Sequence, residues 1–537
     1  MDMKFSEHDL IKYNKKALVA LLLSQQQTMI LQEHQLKELN SKMDLLIEQL
    51  TISNQQRFGR SSEKIDLEEQ LAMCFNEAEV TIANLVIVEP ELEEVTPRPY
   101  TRKKTKGKRD EDLRELPVNV ILHEISEDDL KEKFPDGWKQ LPHEIYKRLN
   151  FIPSRFEVEE HHIAVYAGKD NETMIKANRP VDLLRNSIVT PSLEAAILNA
   201  KYVNAMPLYR LEQEFARQDI KISRQVMANW TIRCAERYFS VFYDRLRDAL
   251  LEDKVIQADE TPVEVSKDGR SAGSKSYMWV YRTGKMSTSP PIVLYEYQKT
   301  RNASHPQIFL DGYKGTLVTD GYQVYHKIAN ENPDIHVAGC WSHARRRFAN
   351  VVKALGKEKS KNTLANDALK QIALIYKTDN ELLALTPEDR LHRRLLLVKP
   401  LVEAFFQWIR KHQPEVPANS ETGKGFTYCL NQEIYLKEFL KSSYIPLDNN
   451  AAESVIRPFC IGKKNWRLID TIDGAKASAT IYSIAETAKA NNLKPYQYFK
   501  YLLEEIPKHM DDKDQSFLEH LLPWSTSLPD ECKKNNQ

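Results

Sequence analysis

Apolar residues recur every seven positions along the first segment of the chain. The repeated positions are Leu22, Met29, Leu36, Met43 and Leu50, with Leu39 and Leu46 in the intervening heptad position. This spacing predicts a long helix over residues 1–56 that pairs with a second copy as a coiled coil, which makes the protein a homo-oligomer. A single amphipathic helix folded onto its own chain has the same periodicity, and Gln25 and Gln32 weaken the predicted seam.

Between residues 57 and 115 the apolar periodicity ends, and blocks of charged residues take its place. An acidic block is followed by RPYTRKKTKGKR at residues 98–109, which holds seven basic residues and no acidic one. Pro97, Pro99, Gly107 and the lack of apolar periodicity predict a flexible linker. Such a segment either contacts nucleic-acid phosphates without sequence preference or offsets the acidic block beside it.

Helical periodicity returns after a short region of mixed pattern. Residues 116–180 predict a small mixed domain, whereas residues 181–252 predict a helical domain. Within the latter, two helical stretches are separated at residues 219–221, and Ser223 has the residue type and place of an N-cap. Two helices joined by a tight turn resemble a helix-turn-helix, in which Arg224 at the start of the second helix is expected to contact DNA.

Strand patterns dominate from residue 253 to about residue 341. The runs KVIQADETPVEV, SYMWVYRTG, PIVLYEYQK, GTLVTDGYQVYH and IHVAGCW are short, rich in β-formers and separated by turn residues. Strands that give way to helices predict a multidomain α/β protein with a central sheet. The boundaries we expect are a core at 253–348, a helical insertion at 349–445, the last part of the core at 446–480, and C-terminal helices with a polar tail at 481–537.

Composition limits what this architecture can do. A chain of 537 residues is too long for one core, and 76 basic residues balance 76 acidic ones, so any contact with DNA must come from local patches. Six cysteines lie far apart without a CxxC pair, which predicts reduced thiols in a cytoplasmic protein. No run approaches the ~20 apolar residues that cross a bilayer, so no membrane contact is expected.

Three carboxylates have the setting of a metal site. Asp259 and Asp320 each follow an apolar strand run, and Glu453 begins a predicted helix after the turn at residues 447–450. Taken singly, each Asp has an ordinary alternative, since Asp-Gly is a common turn and Asp259 could cap a loop. Taken together, their oxygen ligands suit Mg²⁺ or Mn²⁺, and two such ions can serve both the attacking and the leaving oxygen of a phosphodiester.

The order of these segments resembles a known family. QADETPVEV, YMWVY, GTLVTDGYQVYH, GCWSHARRRF, LDNNAAESVIRP and IGKKNW, followed by AETAKANNLKPYQYF, are similar to the DDE transposases of bacterial insertion sequences, family sixty-six. The similarity runs from about Leu18 to Leu503. It implies an RNase H-like catalytic core interrupted by a helical insertion, with Asp259, Asp320 and Glu453 as the catalytic triad.

The resemblance also bears on the residues around the triad. Basic residues expected to neutralise DNA phosphates are Arg345, Arg346, Arg347, Arg457, Lys463 and Lys464. Trp341 and Trp466 stand among them, and core packing is the more frequent role of such residues. The family has a zinc ribbon that this chain departs from, because no cysteine occurs between Cys74 and Cys234, so no zinc is predicted. Ser454 stands where the family has an arginine.

The predicted function is a DNA transposase that cuts phosphodiester bonds at transposon ends and transfers the new 3′-hydroxyl to target DNA. Its expected partners are terminal inverted repeats, target DNA, a second copy of the chain and small accessory proteins encoded by the same element. Two alternatives stay open at this point: an RNase H-like nuclease or resolvase that cuts without joining, and a dimeric DNA-binding regulator with an inactive core.

Removal of residues 1–56 tests the predicted coiled coil. The shortened chain should lose self-association, because the heptad positions would then be absent. Light scattering coupled to size-exclusion chromatography measures the molar mass of both forms. A shortened chain that keeps the oligomeric state of the full chain would contradict the prediction.

Overall fold

The computed structural model describes residues 14–58, 120, 156–167, 174–178, 181–271, 273–356 and 358–534. The chain divides into two compact units, one formed by Val86–Val181 and the other by Met1–Leu85 with Asp182–Gln537. The basic stretch at 98–109 and most of the predicted linker and small domain lie outside the described residues. Among the described helices, none is both long and apolar enough to cross a membrane.

The smaller unit contributes one described hairpin. Its strands β1 (Val165–Ala167) and β2 (Met174–Lys176) are antiparallel, and Tyr166 lies opposite Ile175. Two adjacent strands agree with a mixed pattern in this part of the sequence, while the predicted domain as a whole stays a prediction.

A single long helix carries the heptad pattern. Helix α1 spans Lys15–Phe58 and contains neither glycine nor proline, so nothing in its interior interrupts the backbone hydrogen bonds. The predicted helix is therefore confirmed over these residues. Leu22, Leu36 and Leu50 are each about 60% exposed within the single chain, so these three heptad positions are not covered by other parts of it. The coiled coil remains a prediction.

A block of helices precedes the sheet. Its members are α2 (Pro191–Leu198), α3 (Leu208–Ala216), α4 (Arg224–Cys234) and α5 (Ser240–Leu251), with π-helical turns at Asn199–Val203 and Ala235–Phe239. The hydroxyl of Ser223 accepts a hydrogen bond from the backbone N–H of Val226, which confirms the predicted N-cap of α4. Asp219 has φ +61° in the turn between α3 and α4, at the place where the sequence pattern breaks.

A buried carboxyl joins two of these helices. Glu194 on α2 is fully buried and accepts a hydrogen bond of 2.9 Å from the hydroxyl of Thr231 on α4. Burial raises the pKa of Glu194 to about 8, so the group is protonated at neutral pH. A neutral acid in this place links α2 to α4 without leaving a charge in the core.

A mixed sheet of six strands follows the helical block. The strands are β3 (Val255–Lys267), β4 (Lys275–Thr283), β5 (Val293–Gln298), β6 (Gly315–Thr319), β7 (Ile335–Gly339) and β8 (Ile469–Thr471). Their order is β5-β4-β3-β6-β7, with β8 beside the far end of β3. The first three strands are antiparallel, whereas β6 and β7 run parallel to β3. Helix α6 (Ser304–Phe309) lies between β5 and β6, and helix α7 (Gln323–Glu331) connects β6 to β7.

The sheet separates two apolar cores. Val255 and Val318 face one core, and their strand neighbours Ile256 and Leu317 face the other, as the two-residue period of a strand requires. The core that contains Ile256 and Leu317 also includes helices on the C-terminal side of the chain, which are α14 (Asn450–Trp466), α15 (Ile472–Ala490), α16 (Pro495–Glu505) and α17 (Leu518–Leu521). Both faces of the central strands are thus buried, which explains their continuous apolar runs.

Helix α15 covers the edge strand β5. The side chains of Ser483 and Thr487 accept hydrogen bonds from the backbone N–H groups of Tyr295 and Val293, at 2.7 and 3.0 Å. Thr487 also donates to the carbonyl of Val293. Side chains of a helix therefore replace the strand that β5 lacks on this side.

An all-helical segment lies between β7 and α14. Its helices are α8 (Trp341–Leu355), α9 (Leu364–Glu381), α10 (Pro387–Arg393), α11 (Lys399–His412), α12 (Glu421–Asn431) and α13 (Glu433–Leu436). Trp341 is fully buried, its ring packs against Phe405 and Phe439, and its indole N–H donates to the carbonyl of Leu436. Core packing, the expected role of Trp341, is therefore confirmed.

One arginine holds the end of this helical segment. Arg394 is fully buried, and its guanidinium donates to both carboxylate oxygens of Asp379, at 2.6 and 3.0 Å. Its other terminal nitrogen, Nη1, lies 2.7–3.1 Å from the carbonyls of Phe439, Ser442 and Ile445, which share its two hydrogens. Arg394 therefore fixes the stretch of chain that leads into α14.

Arg394→Met should lower the free energy of unfolding by about 3–5 kcal/mol, because it leaves Asp379 and three carbonyls without their main donor. Urea unfolding followed by tryptophan fluorescence measures the change. The matched control is Arg410→Met, which removes an exposed ion pair with Glu433 and should cost about 1 kcal/mol or less. Equal losses in the two variants would contradict the role given to Arg394.

Candidate catalytic site

Asp259 and Asp320 come together where two parallel strands separate. The ladder between β3 and β6 ends at the pair Gln257 and Val318. Asp259 lies two residues after Gln257, and Asp320 lies two residues after Val318. In the same register, the two aspartates therefore lie opposite each other, just beyond the last paired residues. Neighbouring strands lie ~4.8 Å apart. The two carboxylates therefore occupy one notch in the sheet.

The strand that carries Asp259 is longer than its apolar run predicts. We expected Asp259 at the end of a strand, but β3 continues to Lys267 and keeps β4 as a partner as far as Glu264. Only the first part of β3, at residues 255–257, also has β6 beside it. The apolar run therefore marks the part of the strand that is covered from all sides, and the strand itself goes on beyond it.

The turn after β6 shapes the second carboxylate. Asp320 Oδ1 accepts a hydrogen bond of 2.9 Å from the backbone N–H of Tyr322, and the Asp320 carbonyl accepts one of 3.0 Å from the hydroxyl of Tyr428. Gly321 has φ +88°, and a Cβ there would come within 3.1 Å of the Tyr428 hydroxyl. The Asp-Gly pair is thus a tight turn as the sequence indicates, and it also orients Asp320.

An asparagine ties the start of α14 to the strand of Asp259. The amide nitrogen of Asn449 donates to the carbonyl of Ala258 at 2.8 Å, and the amide oxygen accepts from the side chain of Gln257 at 3.2 Å. Gln257 also donates to the carbonyl of Asp448. Asn449 is fully buried. Its side chain therefore anchors the turn at residues 447–450 to β3.

Further contacts show where α14 runs. Thr261 lies near Cys460, with 3.7 Å between the hydroxyl oxygen and the sulfur. Gln257, Asp259 and Thr261 share one face of β3 because they are two residues apart. Since Gln257 meets the start of α14 and Thr261 meets its Cys460, the helix passes over the face that carries Asp259. Glu453 lies in the first turn of that helix.

The carboxylate of Glu453 contacts two residues of α8. Oε2 lies 3.3 Å from a guanidinium nitrogen of Arg346, and Oε1 lies 3.7 Å from Nδ1 of His343. Cys340, His343 and Glu453 have ligand atoms within 4.8 Å of one another. In the part of the chain that the structure describes, they are the one set of three or more histidine, cysteine or acidic residues this close. Asp259, Asp320 and Glu453 together are more widely spaced.

A fourth carboxylate lies on the opposite face of β3, and the sequence interpretation missed it. Glu260 accepts hydrogen bonds from Nε of Arg301 at 2.7 Å and from the hydroxyl of Tyr325 at 2.8 Å. The guanidinium of Arg301 also lies over the ring of Tyr322, 3.7 Å from its centroid. The signal that could have found Glu260 is its place directly after Asp259, since adjacent strand residues face opposite sides of a sheet.

The carboxylates of Asp259, Glu260 and Asp320 repel one another. Burial raises the pKa of Asp259 well above its usual range, and the carboxylates of Glu260 and Asp320 raise it further. Burial, and next to it Asp320, likewise raises the pKa of Glu260. Arg301 lowers both pKa values and only partly offsets the repulsion. A divalent cation beside Asp259 and Asp320 would relieve it, so the residues present fit Mg²⁺ or Mn²⁺.

The predicted basic residues divide into three groups. Arg346 contacts Glu453, and Arg457 lies one helical turn after Glu453 on the wall of a cleft of about 640 Å³. Arg347 is exposed and stacks over the ring of Tyr428, 5.0 Å from its centroid. Four further residues were predicted to contact DNA. Arg345 on α8 is half-buried, Lys464 is exposed, and Arg224 lies at the start of α4. The ammonium of Lys463 donates to the carbonyl of Pro262 at 2.8 Å.

Arg224 is not part of the site around Glu453. It is exposed at the start of α4, and its guanidinium lies 5.5 Å from the centroid of the Tyr209 ring on α3.

Trp466 is half-buried, with the ammonium of Lys201 5.7 Å from its ring. Ser454, exposed beside Glu453, donates to the carbonyl of Ala451 within its own helix.

Comparison with known proteins agrees with this picture. The model of the Transposase IS66 family matches residues 186–477, the IS66 C-terminal element matches 483–524, and the model described as Transposase C of IS166 homeodomain matches 45–121. Two uncharacterized proteins of Sinorhizobium fredii, y4qI and y4jD, are 26% and 27% identical to the chain over 71% and 70% of its length. The matches cover 70% and 74% of those relatives.

The class of protein is therefore a transposase, since the first model alone covers more than half of the chain and includes the sheet and Glu453. The chain belongs to the Transposase IS66 family. The expected family is thus confirmed, and so is a mixed α/β fold with a helical N-terminal region.

Arg301→Gln should make stability more sensitive to pH. Arg301 lowers the pKa of Glu260, so its loss raises that pKa further above the unfolded value of about 4.3. A carboxyl whose pKa is raised in the folded state loses stability as pH rises from the unfolded pKa through the folded pKa. The melting temperature should therefore fall more at pH 8 than at pH 5, as thermal unfolding can measure.

The matched control for this prediction is Lys267→Gln, which removes an exposed ion pair with Asp470. Its melting temperature should change little at either pH. A loss in Arg301→Gln that is the same at pH 5 and pH 8 would contradict the assigned coupling.

Proposed function

We propose that this chain is a DNA transposase in which Asp259, Asp320 and Glu453 form a DDE triad within an RNase H-like core. The observation that carries the proposal is the register between β3 and β6, which sets Asp259 opposite Asp320 at the open end of the ladder. The helix with Glu453 crosses the same face of β3, tied there by Asn449. Three antiparallel strands followed by two parallel ones support the assignment of the core.

Asp259, Asp320 and Glu453 would hold two divalent ions, Mg²⁺ or Mn²⁺. Such ions supply positive charge to the attacking and leaving oxygens of a phosphodiester. The chain's own residues set the positions of these ligands: the Tyr322 N–H and the Tyr428 hydroxyl fix Asp320, and the N–H of Glu260 donates to Asp259 at 2.8 Å. The Glu453 carboxylate contacts Arg346, and the three acids are more widely spaced than the ligands of one ion, so we expect the Glu453 side chain to turn toward Asp259 if metal and DNA bind.

The remaining basic residues support contacts with the DNA backbone. Arg347 stacks on Tyr428, whose hydroxyl binds Asp320, so this cation stands next to the second aspartate. Arg457 lies in the cleft beside Glu453, and Lys463 stands near the end of α14. With Arg345 and Lys464, they would neutralise phosphates on both sides of the scissile bond.

End recognition belongs to a separate part of the chain. We assign residues 181–252 to DNA binding through α3 and α4, in which exposed Arg224 begins the second helix. Residues 1–56 would join two copies, because both transposon ends must be held in one complex. The core would then comprise residues 253–348 and 446–480, interrupted by a helical insertion at 349–445 and followed by C-terminal helices at 481–537. Accessory proteins of the same element would complete the complex.

Asp259→Asn and Asp320→Asn should each reduce strand cleavage about a hundredfold or more, because each removes a charged metal ligand. Cleavage is measured on duplexes that carry the terminal sequences of the element encoding this chain, in Mn²⁺, with the element's other proteins present. Binding to the same duplexes, measured by gel shift, should survive.

The matched control is Asp334→Asn, an exposed aspartate paired with Lys314 outside the site, which should cleave like the native chain. Undiminished cleavage by both triad variants would refute the assignment. A further arm offers ends that are already cut: joining to target DNA indicates a transposase, whereas a nuclease without strand transfer would leave them unjoined.

A further inference from the structure

Cys340, His343 and Glu453 form a compact cluster with an unusual mixture of ligand types. Cys340 and His343 are three residues apart at the start of α8, and Glu453 faces them from the first turn of α14. Their ligand atoms lie within 4.8 Å of one another, and all three side chains are buried or mostly buried. None of the roles assigned above to the triad requires a thiol or an imidazole.

The distances are close to those around a tetrahedral ion. Zinc bonds of roughly 2.0 Å to nitrogen and 2.3 Å to sulfur place ligand atoms roughly 3.3–3.7 Å apart. The Nδ1 atom of His343 and Oε1 of Glu453 are already 3.7 Å apart, whereas the Cys340 sulfur lies within 4.8 Å of both residues and would have to move closer to bind the same ion. Glu453 also lines the cleft described above, so one side of this ligand faces open space.

The guanidinium of Arg346 lies beside this cluster, where a metal ion would otherwise supply positive charge. Its guanidinium contacts Oε2 of Glu453 at 3.3 Å and Nε2 of His343 at 3.3 Å. A guanidinium only donates, so Nε2 accepts and the ring proton is on Nδ1, which faces Glu453. The positive charge that neutralises Glu453 is therefore supplied by an exchangeable side chain, 30% exposed to solvent.

We propose that Cys340, His343 and Glu453 bind a borderline divalent metal ion of the Zn²⁺ class, which displaces Arg346. The thiol proton passes to solvent as the thiolate binds the metal, and the imidazole proton moves from Nδ1 to Nε2, where Arg346 no longer donates. The thiolate and the carboxylate neutralise the two positive charges of the ion. A thiolate–imidazole ligand set selects such an ion over Mg²⁺, which prefers oxygen.

Occupation of this site would regulate the triad. Glu453 would have to release the Zn²⁺-class ion before it could bind metal together with Asp259 and Asp320. Zn²⁺ should therefore inhibit cleavage that depends on Mn²⁺. This consequence rests on the proposed function, whereas the metal site itself does not. The two can therefore be tested apart.

Cobalt absorption of the metal-free, reduced full-length chain tests the site. Titration with Co²⁺ should give a thiolate-to-cobalt charge-transfer band with a stoichiometry of one ion, and Zn²⁺ should abolish the band. Cys340→Ser should remove the band, and His343→Gln should weaken cobalt binding about tenfold to a hundredfold. Arg346→Gln should bind Co²⁺ more tightly than the native chain, because the competing cation is gone.

Two controls make the result specific. Cys429→Ser removes a buried thiol outside the cluster and should keep the band. Asp259→Asn should keep it as well, even if it abolishes cleavage, so failure of the proposed triad leaves this test intact. Absence of a band in the native chain, or a band that persists in Cys340→Ser, would overturn the proposal. Weaker cobalt binding by Arg346→Gln would refute the exchange of Arg346 for the metal.

Discussion

The buried amide of Asn449 is the contact on which the geometry of the candidate site depends. It binds the Ala258 carbonyl just before Asp259, and it stands four residues ahead of Glu453. A carbonyl beyond the end of the β3–β6 ladder has no strand partner on that side, so the amide nitrogen satisfies a group that would otherwise be buried alone. Because one bond completes the strand and places the helix, the position of Glu453 is coupled to that of Asp259.

The helical segment between β7 and α14 extends this constraint. It separates Asp320 from Glu453 in sequence, yet both of its ends return to the sheet. Trp341 locks the start of α8, which carries His343 and Arg346, and Arg394 holds the chain just before Asn449. The segment is therefore a support for the two helices that meet at Glu453, and its packing decides which groups that carboxylate contacts.

The sequence contained enough information to predict the elements of the site, but not its arrangement. Apolar runs before Asp259 and Asp320 marked the parts of β3 and β6 buried on both faces, and the residues after Asp448 indicated the helix of Glu453. Periodicity carries no information about register, however, and register is what sets Asp259 opposite Asp320. The pairing of Glu260 with Arg301 joins residues 41 positions apart, which no local pattern reports.

Basic residues illustrate a second limit of the sequence. Arg345, Arg346 and Arg347 read as one basic group, but successive helical residues point in different directions. Arg346 turns toward Glu453 while Arg347 lies on Tyr428, so one contacts the candidate site directly and the other flanks it. The three adjacent arginines were therefore predicted to act as one group, whereas Arg346 and Arg347 have different contacts in the folded chain.

The cover that α15 provides for β5 has a consequence for synthesis of the chain. Ser483 and Thr487 emerge from the ribosome almost two hundred residues after the strand they protect. Until then β5 presents an open edge to other nascent chains, and the helix of Glu453 has no finished sheet to rest on. A chain still being translated therefore exposes this edge, and products truncated before α15 would be prone to aggregate.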